Sequence, residues 1–473
     1  MTSHDRTSVL KCWIDPSVGV GQSRASATLE QLLEDAGWRC KFVSERKHAD
    51  IRYGLAGTLP GDLPFAGHDA WAAIDVQRAV QHDGVFVPAA SIVRTEGCDA
   101  IDPVLAGYFF LSGRIEHDAH PHAFAGIPEQ ASIREWGLET PVIQRLVEMV
   151  TSRVPTGPAP RPRWPGKRKW AFCLTHDCDR LLRYRTNGFW RDAGHPGASL
   201  RQRAVSTAKA LYSGLHFNRG MDPYEASLHA WLDFEREMEM QAVYYVGAWS
   251  RADVPSHPHD LVHARTDPET LRLVRACAEQ GAEIGLHSGI TAWQSGPRYG
   301  EEVRRFSASY GIQPKGVRGH YWSVNPNNPE ESLSFASRYG ALEYDASFGM
   351  NVTYGFRRGT SYPYRPFDAR TGTYAGLWEL PPTVMDGGLH ASAPNNAGRM
   401  ANFASLTDRV RAAGGVLVLD WHSDSLWGGF MENMTAELLP QLQAIIGDSS
   451  CWVATGSELI EWCSKTRWKT EDR

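Results

Sequence analysis

The sequence predicts a (β/α) barrel of seven or eight units preceded by a smaller α/β domain. Three observations lead there. Beyond residue 169, short apolar runs alternate with amphipathic stretches, and ionisable residues cluster at the C-terminal ends of those runs. A Pro- and Arg-rich stretch at 154–169, VPTGPAPRPRWPGKRK, separates this region from a different alternation before it.

In the first part, residues 1–153, VLKCWI (9–14) and KFVS (41–44) read as strands with the helix SATLEQLLEDAG (26–37) between them. LAGYFFLSGRIE (105–116) and TPVIQRLVEMVTSRV (140–154) read as later helices, which together suggest a small α/β domain. GVGQSR (19–24) follows the first strand like a phosphate loop but lacks the third Gly of that pattern, so it carries little weight. HDAHPH (117–122) offers three His, but its polar, Pro-containing setting reads as an exposed loop rather than a metal site. The basic cluster Arg161, Arg163, Lys167, Arg168 and Lys169 reads as the solvated face of a linker.

In residues 170–473 the apolar runs are WAFCLTHD (170–177), AVYYVG (242–247), AEIGLH (282–287), KGVRGHYW (315–322), ALEYDAS (341–347), LWELPP (377–382) and GGVLVLDWH (414–422). Amphipathic stretches such as PETLRLVRACAEQG (268–281) and LTDRVRAAGG (406–415) precede them, as expected for a parallel sheet covered on both faces. In a barrel all strand C-termini converge on one rim, so Asp177, Asp179, His287, His320, Asp345 and His422 should meet there although far apart in sequence.

Composition narrows the function. The 473 residues carry a net charge of −5, which gives no general attraction to nucleic acid or to an anionic membrane. No apolar run approaches the length of a membrane span, and the first residues lack the pattern of a secretory signal. Eight scattered Cys without CxxC pairs suit reduced thiols, so a cytoplasmic location is expected.

The most informative stretch is THDCD (175–179), where an apolar strand ends on two carboxylates. Extended backbone would point Asp177 and Asp179 the same way, and two adjacent carboxylates repel unless a cation lies between them. A divalent metal resolves this, with one Asp as ligand, the other as general base, and His287 as the natural second ligand. Zn²⁺ suits such a mixed set and lowers the pKa of bound water towards about 7. A helix N-cap at Asp179 is the bland alternative.

With EIGLHSG (283–289), VRGHYW (317–322), YDASFG (344–349), GFRRGTSYPYRPFD (355–368), LWELPPTVMD (377–386) and LDWHSD (419–424), residues 165–473 resemble the polysaccharide deacetylase family, carbohydrate esterase family four. The resemblance is to the subgroup whose first motif is T-H-D-x-D, and DPVLAGYFFLSGRIE (102–116) is similar to that subgroup's extra N-terminal domain. It implies a distorted (β/α) barrel and metal-dependent hydrolysis of an N-acetyl group on an amino sugar. By motif, Asp177 would be the base, Asp179 and His287 metal ligands, Arg318 the arginine that orients the base, and His422 the general acid.

One position departs from the family. Its second metal-binding His lies four residues after the first, where this chain has Thr291. His320 is the candidate replacement, with substrate contact as the other reading. Asp345, Asp386 and Asp424 are all candidates to pair with His422 or Arg318, and Tyr321, Trp322 and Trp421 adjoin the motifs as candidate sugar-binding aromatics. The competing reading is a catalytically degenerate barrel that binds saccharide or scaffolds a biosynthetic complex, with Thr291 as its main support.

Overall fold

The structure is a computed structural model that describes residues 9–55, 59–74, 78–94, 99–116, 136–154, 160–182, 199–201, 203–205, 207–208, 211, 222–249, 260–261, 268–325, 328–426 and 431–467. The His-rich stretch 117–122 lies outside them.

The N-terminal region holds a three-stranded parallel sheet in which β1 (Val9–Ile14) lies between β2 (Arg39–Phe42) and β3 (Ile51–Tyr53). Helix α1 (Gln22–Asp35) packs on it with α2 (Pro103–Leu111) and α3 (Val142–Thr151). The predicted strand at 41–44 begins two residues earlier, at Arg39. GVGQSR spans the end of a 3-10 turn and the start of α1.

Asp102 organises this region. Its Oδ1 caps α2 by accepting from the backbone N–H of Val104 and Leu105, and its Oδ2 accepts from Tyr53 Oη at 2.9 Å and Ala66 N at 3.0 Å. Asp102→Ala strands these buried donors and should cost about 3 kcal/mol, read as a lower midpoint in chemical denaturation.

The second region is a curled sheet of parallel strands flanked by helices, a distorted (β/α) barrel. Its strands are β4 (Trp170–Asp177), β5 (Val243–Gly247), β6 (Glu283–Ser288), β7 (Gly316–Gly319), β8 (Tyr344–Asp345), β9 (Trp378–Glu379), β10 (Val384–Met385) and β11 (Val416–Asp420). They lie side by side in the order β9-β8-β7-β6-β5-β4-β11-β10, and β12 (Cys451–Val453) pairs with the first half of β4. The ends of the sheet, β9 and β10, are neighbours in the chain. Leu380 N bonds Asp345 O on one side and Thr383 N bonds Val418 O on the other, so LPPT closes the ring covalently where Pro381 and Pro382 have no N–H to offer a ladder. β10 and β12 were not predicted, and the runs at 341–347 and 377–382 form strands of only two residues.

The period of two sorts each strand. Trp170, Phe172 and Leu174 of β4 pack outward with the helix layer, whereas Ala171 and Cys173 join Val243, Tyr245, Tyr344, Val416 and Val418 in a separate inner core. Helix α4 (Gly456–Arg467) adds Leu459, Ile460 and Cys463 to that inner core. The inner layer is tight. A Cβ at Gly285 would sit 2.6 Å from the Tyr245 ring, and one at Gly316 would sit 2.1 Å from the Tyr344 ring.

The basic stretch is not the solvated face expected from its charge. Arg163 donates to the carbonyls of Asp35, Ala413 and Gly414 and stacks 4.2 Å over the Tyr362 ring. Arg161 Nη1 donates to Thr466 O at 3.0 Å, and Trp164 is wholly buried. Asp35 ends α1, Thr466 lies in the last turn of α4, and Ala413 ends a third helix, Asn396–Ala413. The arginines therefore satisfy helix C-terminal carbonyls that would otherwise lack donors. Only Lys167, Arg168 and Lys169 face solvent.

Among the described residues no helix is long and apolar enough to cross a membrane, and the seven described Cys are all free thiols.

Candidate metal centre and catalytic site

The inward parity established at Ala171 and Cys173 continues to Thr175 and Asp177, and the same alternation turns His287, Arg318, Asp420 and His422 towards the rim. Asp179 lies two residues past the end of β4, and His320 lies in the turn that follows β7. The sequence-predicted residues Asp177, Asp179, His287, Arg318, His320 and His422 thus meet at one end of the barrel.

Three imidazoles aim at one carboxylate. Nε2 of His287 lies 3.2 Å from Asp179 Oδ1, and Nε2 of His320 and His422 lie 3.6 and 3.5 Å from Asp179 Oδ2. Two of the rings, His287 and His422, are hydrogen-bonded through their other nitrogen, and the third has a carboxylate nearby. His287 Nδ1 is 2.9 Å from Arg318 O, His422 Nδ1 is 3.0 Å from Asp386 Oδ1, and His320 Nδ1 is 3.6 Å from Asp260 Oδ1.

Asp177 stands beside this cluster, with Oδ2 3.4 Å from His287 Nε2 and Oδ1 2.8 Å from Arg318 Nη1. Arg318 is fully buried. The same Nη1 also lies 2.8 Å from Asp420 Oδ1 and 2.9 Å from Thr175 Oγ1, while Nε donates to Ala346 O. Its guanidinium stacks 4.3 Å over Tyr245.

The electrostatics follow from these contacts. Burial pushes the Asp177 carboxyl upward, but Arg318, His287 and His422 outweigh it and hold the group below the usual range. Asp179 is likewise penalised by burial, yet His320, His287 and His422 hold it well below that range. Burial alone would lower His422, whereas Asp386 and Asp179 push it well above an ordinary imidazole and favour its protonated form.

Asp179, His287 and His320 bring their ligand atoms within 4.8 Å of one another. His287 Nε2 and Asp179 Oδ1 are buried without a hydrogen-bond partner among the described residues, which is the state expected of atoms shaped for an ion. Two imidazole nitrogens and a carboxylate oxygen suit Zn²⁺ or a similar divalent cation.

Of the three candidate acids, Asp386 pairs with His422, accepting from its backbone N–H as well. Asp345 faces away because Tyr344 and Ala346 point inward, and it bonds Ser347 instead. Asp424 pairs with Arg180 at 3.2 Å.

The aromatics divide in the same way. Trp421 is not a sugar-contacting residue. It is fully buried, opposite in parity to Asp420 and His422, and its indole donates to Thr435. Trp322 is 2% exposed and packs with Ile290 beneath Arg318, so it too is a wall rather than a platform. Tyr321 is half-buried beside the His320 ring and remains the candidate contact. Tyr321 and Trp322 both hold φ of 57°, a left-handed conformation that costs non-Gly residues of order 1–2 kcal/mol each.

Sequence reading missed Asp420 and Asp260. Asp420 carried a usable signal, because it ends an apolar run two residues before His422 and so shares its face.

Neither a protein family's sequence profile nor a curated protein matches the chain. Among solved structures it is similar to a protein from Mycobacterium smegmatis described as a polysaccharide deacetylase, at 15% identity and TM-score 0.44, over 65% of this chain and 94% of that one. It is similar to Puue allantoinase at 14% identity and TM-score 0.44, over 66% and 96% of the two chains. A Pseudomonas aeruginosa PAO1 protein, also described as a polysaccharide deacetylase, gives 13% identity and TM-score 0.43 over 66% and 97%. The functional reading rests on the side chains.

Proposed function

We propose that the protein is a metal-dependent hydrolase that removes an N-acetyl group from an amino sugar in a saccharide or polysaccharide precursor. The observation that carries this reading is the convergence of three imidazoles on the Asp179 carboxylate, with Asp177 alongside and tied to Arg318.

Asp179, His287 and His320 would hold the ion, which when bound polarises the amide carbonyl and makes water acidic near neutral pH. Asp177 is the general base. Arg318 and its neighbours keep it ionised, and its Oδ2 remains on the cluster side to take the proton of the attacking water. His422 is the general acid. Asp386 holds its Nδ1–H, so the protonated ring presents Nε2–H to the departing nitrogen, which must be protonated as the C–N bond breaks. The products are acetate and a free amino sugar. Tyr321, half-buried next to the cluster, offers a ring face to the sugar.

The experiment is elemental analysis of the purified protein, followed by an acetate-release assay on N-acetylated oligosaccharides. About one equivalent of Zn²⁺ with acetate release is the expected result. Zinc or saccharide binding without acetate release would instead favour the degenerate barrel.

A further inference from the structure

Thr291 removes the metal-binding His from the loop after β6, and the replacement, His320, comes from a turn that strains two residues, Tyr321 and Trp322. A ligand on such a turn needs a partner that fixes its ring. We propose that Asp260 is that partner, a positioning residue that holds Nδ1 of His320 so that Nε2 faces Asp179. The inference deepens the metal-dependent reading above and rests on it.

Asp260 is itself buried and hydrogen-bonded. It is 6% exposed, and its Oδ1 accepts from the backbone N–H of Ile290 and of Leu261, both at 3.1 Å. Ile290 belongs to the loop that carries Thr291, and Gly289 of the same loop donates to Glu302 Oε2 at 2.8 Å. A Cβ at Gly289 would sit 2.7 Å from Asp260 Oδ2 and 3.0 Å from Glu302 Oε1, so only glycine lets both carboxyls approach this backbone. The loop that could have supplied a ligand supplies backbone donors instead. Asp260 Oδ1 is 3.6 Å from His320 Nδ1, which has no hydrogen-bond partner among the described residues. That spacing is in ion-pair range and slightly beyond a hydrogen bond. His287 and His422 already have an acceptor at the equivalent nitrogen, Arg318 O and Asp386, and Asp260 completes the set for the third ring.

The test is zinc affinity of the metal-stripped full-length protein, measured by competition with a chromophoric chelator on wild type, Asp260→Ala, His320→Ala and the double variant. Loss of an orienting carboxylate should weaken zinc binding roughly 10–100-fold in Asp260→Ala. The double variant should bind no worse than His320→Ala, because Asp260 acts only through that ring. Unchanged affinity in Asp260→Ala, or additive losses in the double variant, would overturn the proposal. Asp260→Asn keeps the shape and a side-chain oxygen to accept from the backbone N–H of Ile290 and Leu261 while removing the charge that faces His320, and replaces Asp260→Ala in the same cycle, read by the same additivity, if that variant does not fold. A wild type that binds no zinc at all would overturn the underlying metal reading, a result distinct from either of these.

Discussion

Asp177→Asn should lower turnover roughly a thousandfold or more while leaving zinc content nearly intact. The amide keeps an acceptor for Arg318 Nη1, so the pocket retains its shape, but it cannot take a proton. Asp179→Ala should lose both activity and zinc, because Asp179 is the carboxylate on which His287, His320 and His422 converge. The pair is read by elemental analysis and by acetate release. Equal zinc loss in both variants would show that the two carboxylates have exchanged roles.

The second large effect concerns Arg318→Met. Asp177 and Asp420 both rest on one guanidinium nitrogen, and their side chains are 7% and 0% exposed. Burial already holds the Asp420 carboxyl well above its usual range, so removing the cation chiefly strands Asp177, and such losses cost about 3–5 kcal/mol. In the wild type Asp177 is held below its unfolded value, so its contribution is present above about pH 4 and is lost as pH falls. In the variant the stranded Asp177 favours its neutral form, so native protein binds an extra proton. The stability gap should therefore be widest near neutral pH and narrow towards pH 4. Urea denaturation of both proteins at a series of pH values measures it, and a gap independent of pH would remove Arg318 from its electrostatic role.

Much of this site was legible because two simple rules operate together. Ionisable residues at strand C-termini marked the rim, and the order of motifs brought Asp177, Asp179, His287, Arg318 and His422 together across more than 240 residues. Parity along the strands would also have turned Asp345 away from the rim, since Tyr344 and Ala346 point inward, and placed Trp421 in the helix layer, since Asp420 and His422 alternate with it. Asp260 had no such signal. It belongs to no periodic run, and only the tertiary structure brings it to His320. Arg161 and Arg163 misled for a related reason. Charge density predicts solvation, but the carbonyls they serve, at Asp35, Ala413 and Thr466, come from distant parts of the chain.

Strand order has a consequence for synthesis. All eight residues of β4 are buried, but five of them, Ala171–Thr175, pair on one side with β11, and Trp170–Phe172 pair on the other with β12. Thr175 and Leu419 are 244 positions apart, and ribosomes add about 5–20 residues per second. The longest strand of the barrel therefore waits roughly 10–50 s for its neighbour, with an edge open to other chains. Nascent chains stopped before β11 should aggregate or engage chaperones, whereas the N-terminal sheet, complete by Tyr53, has all its strands long before then.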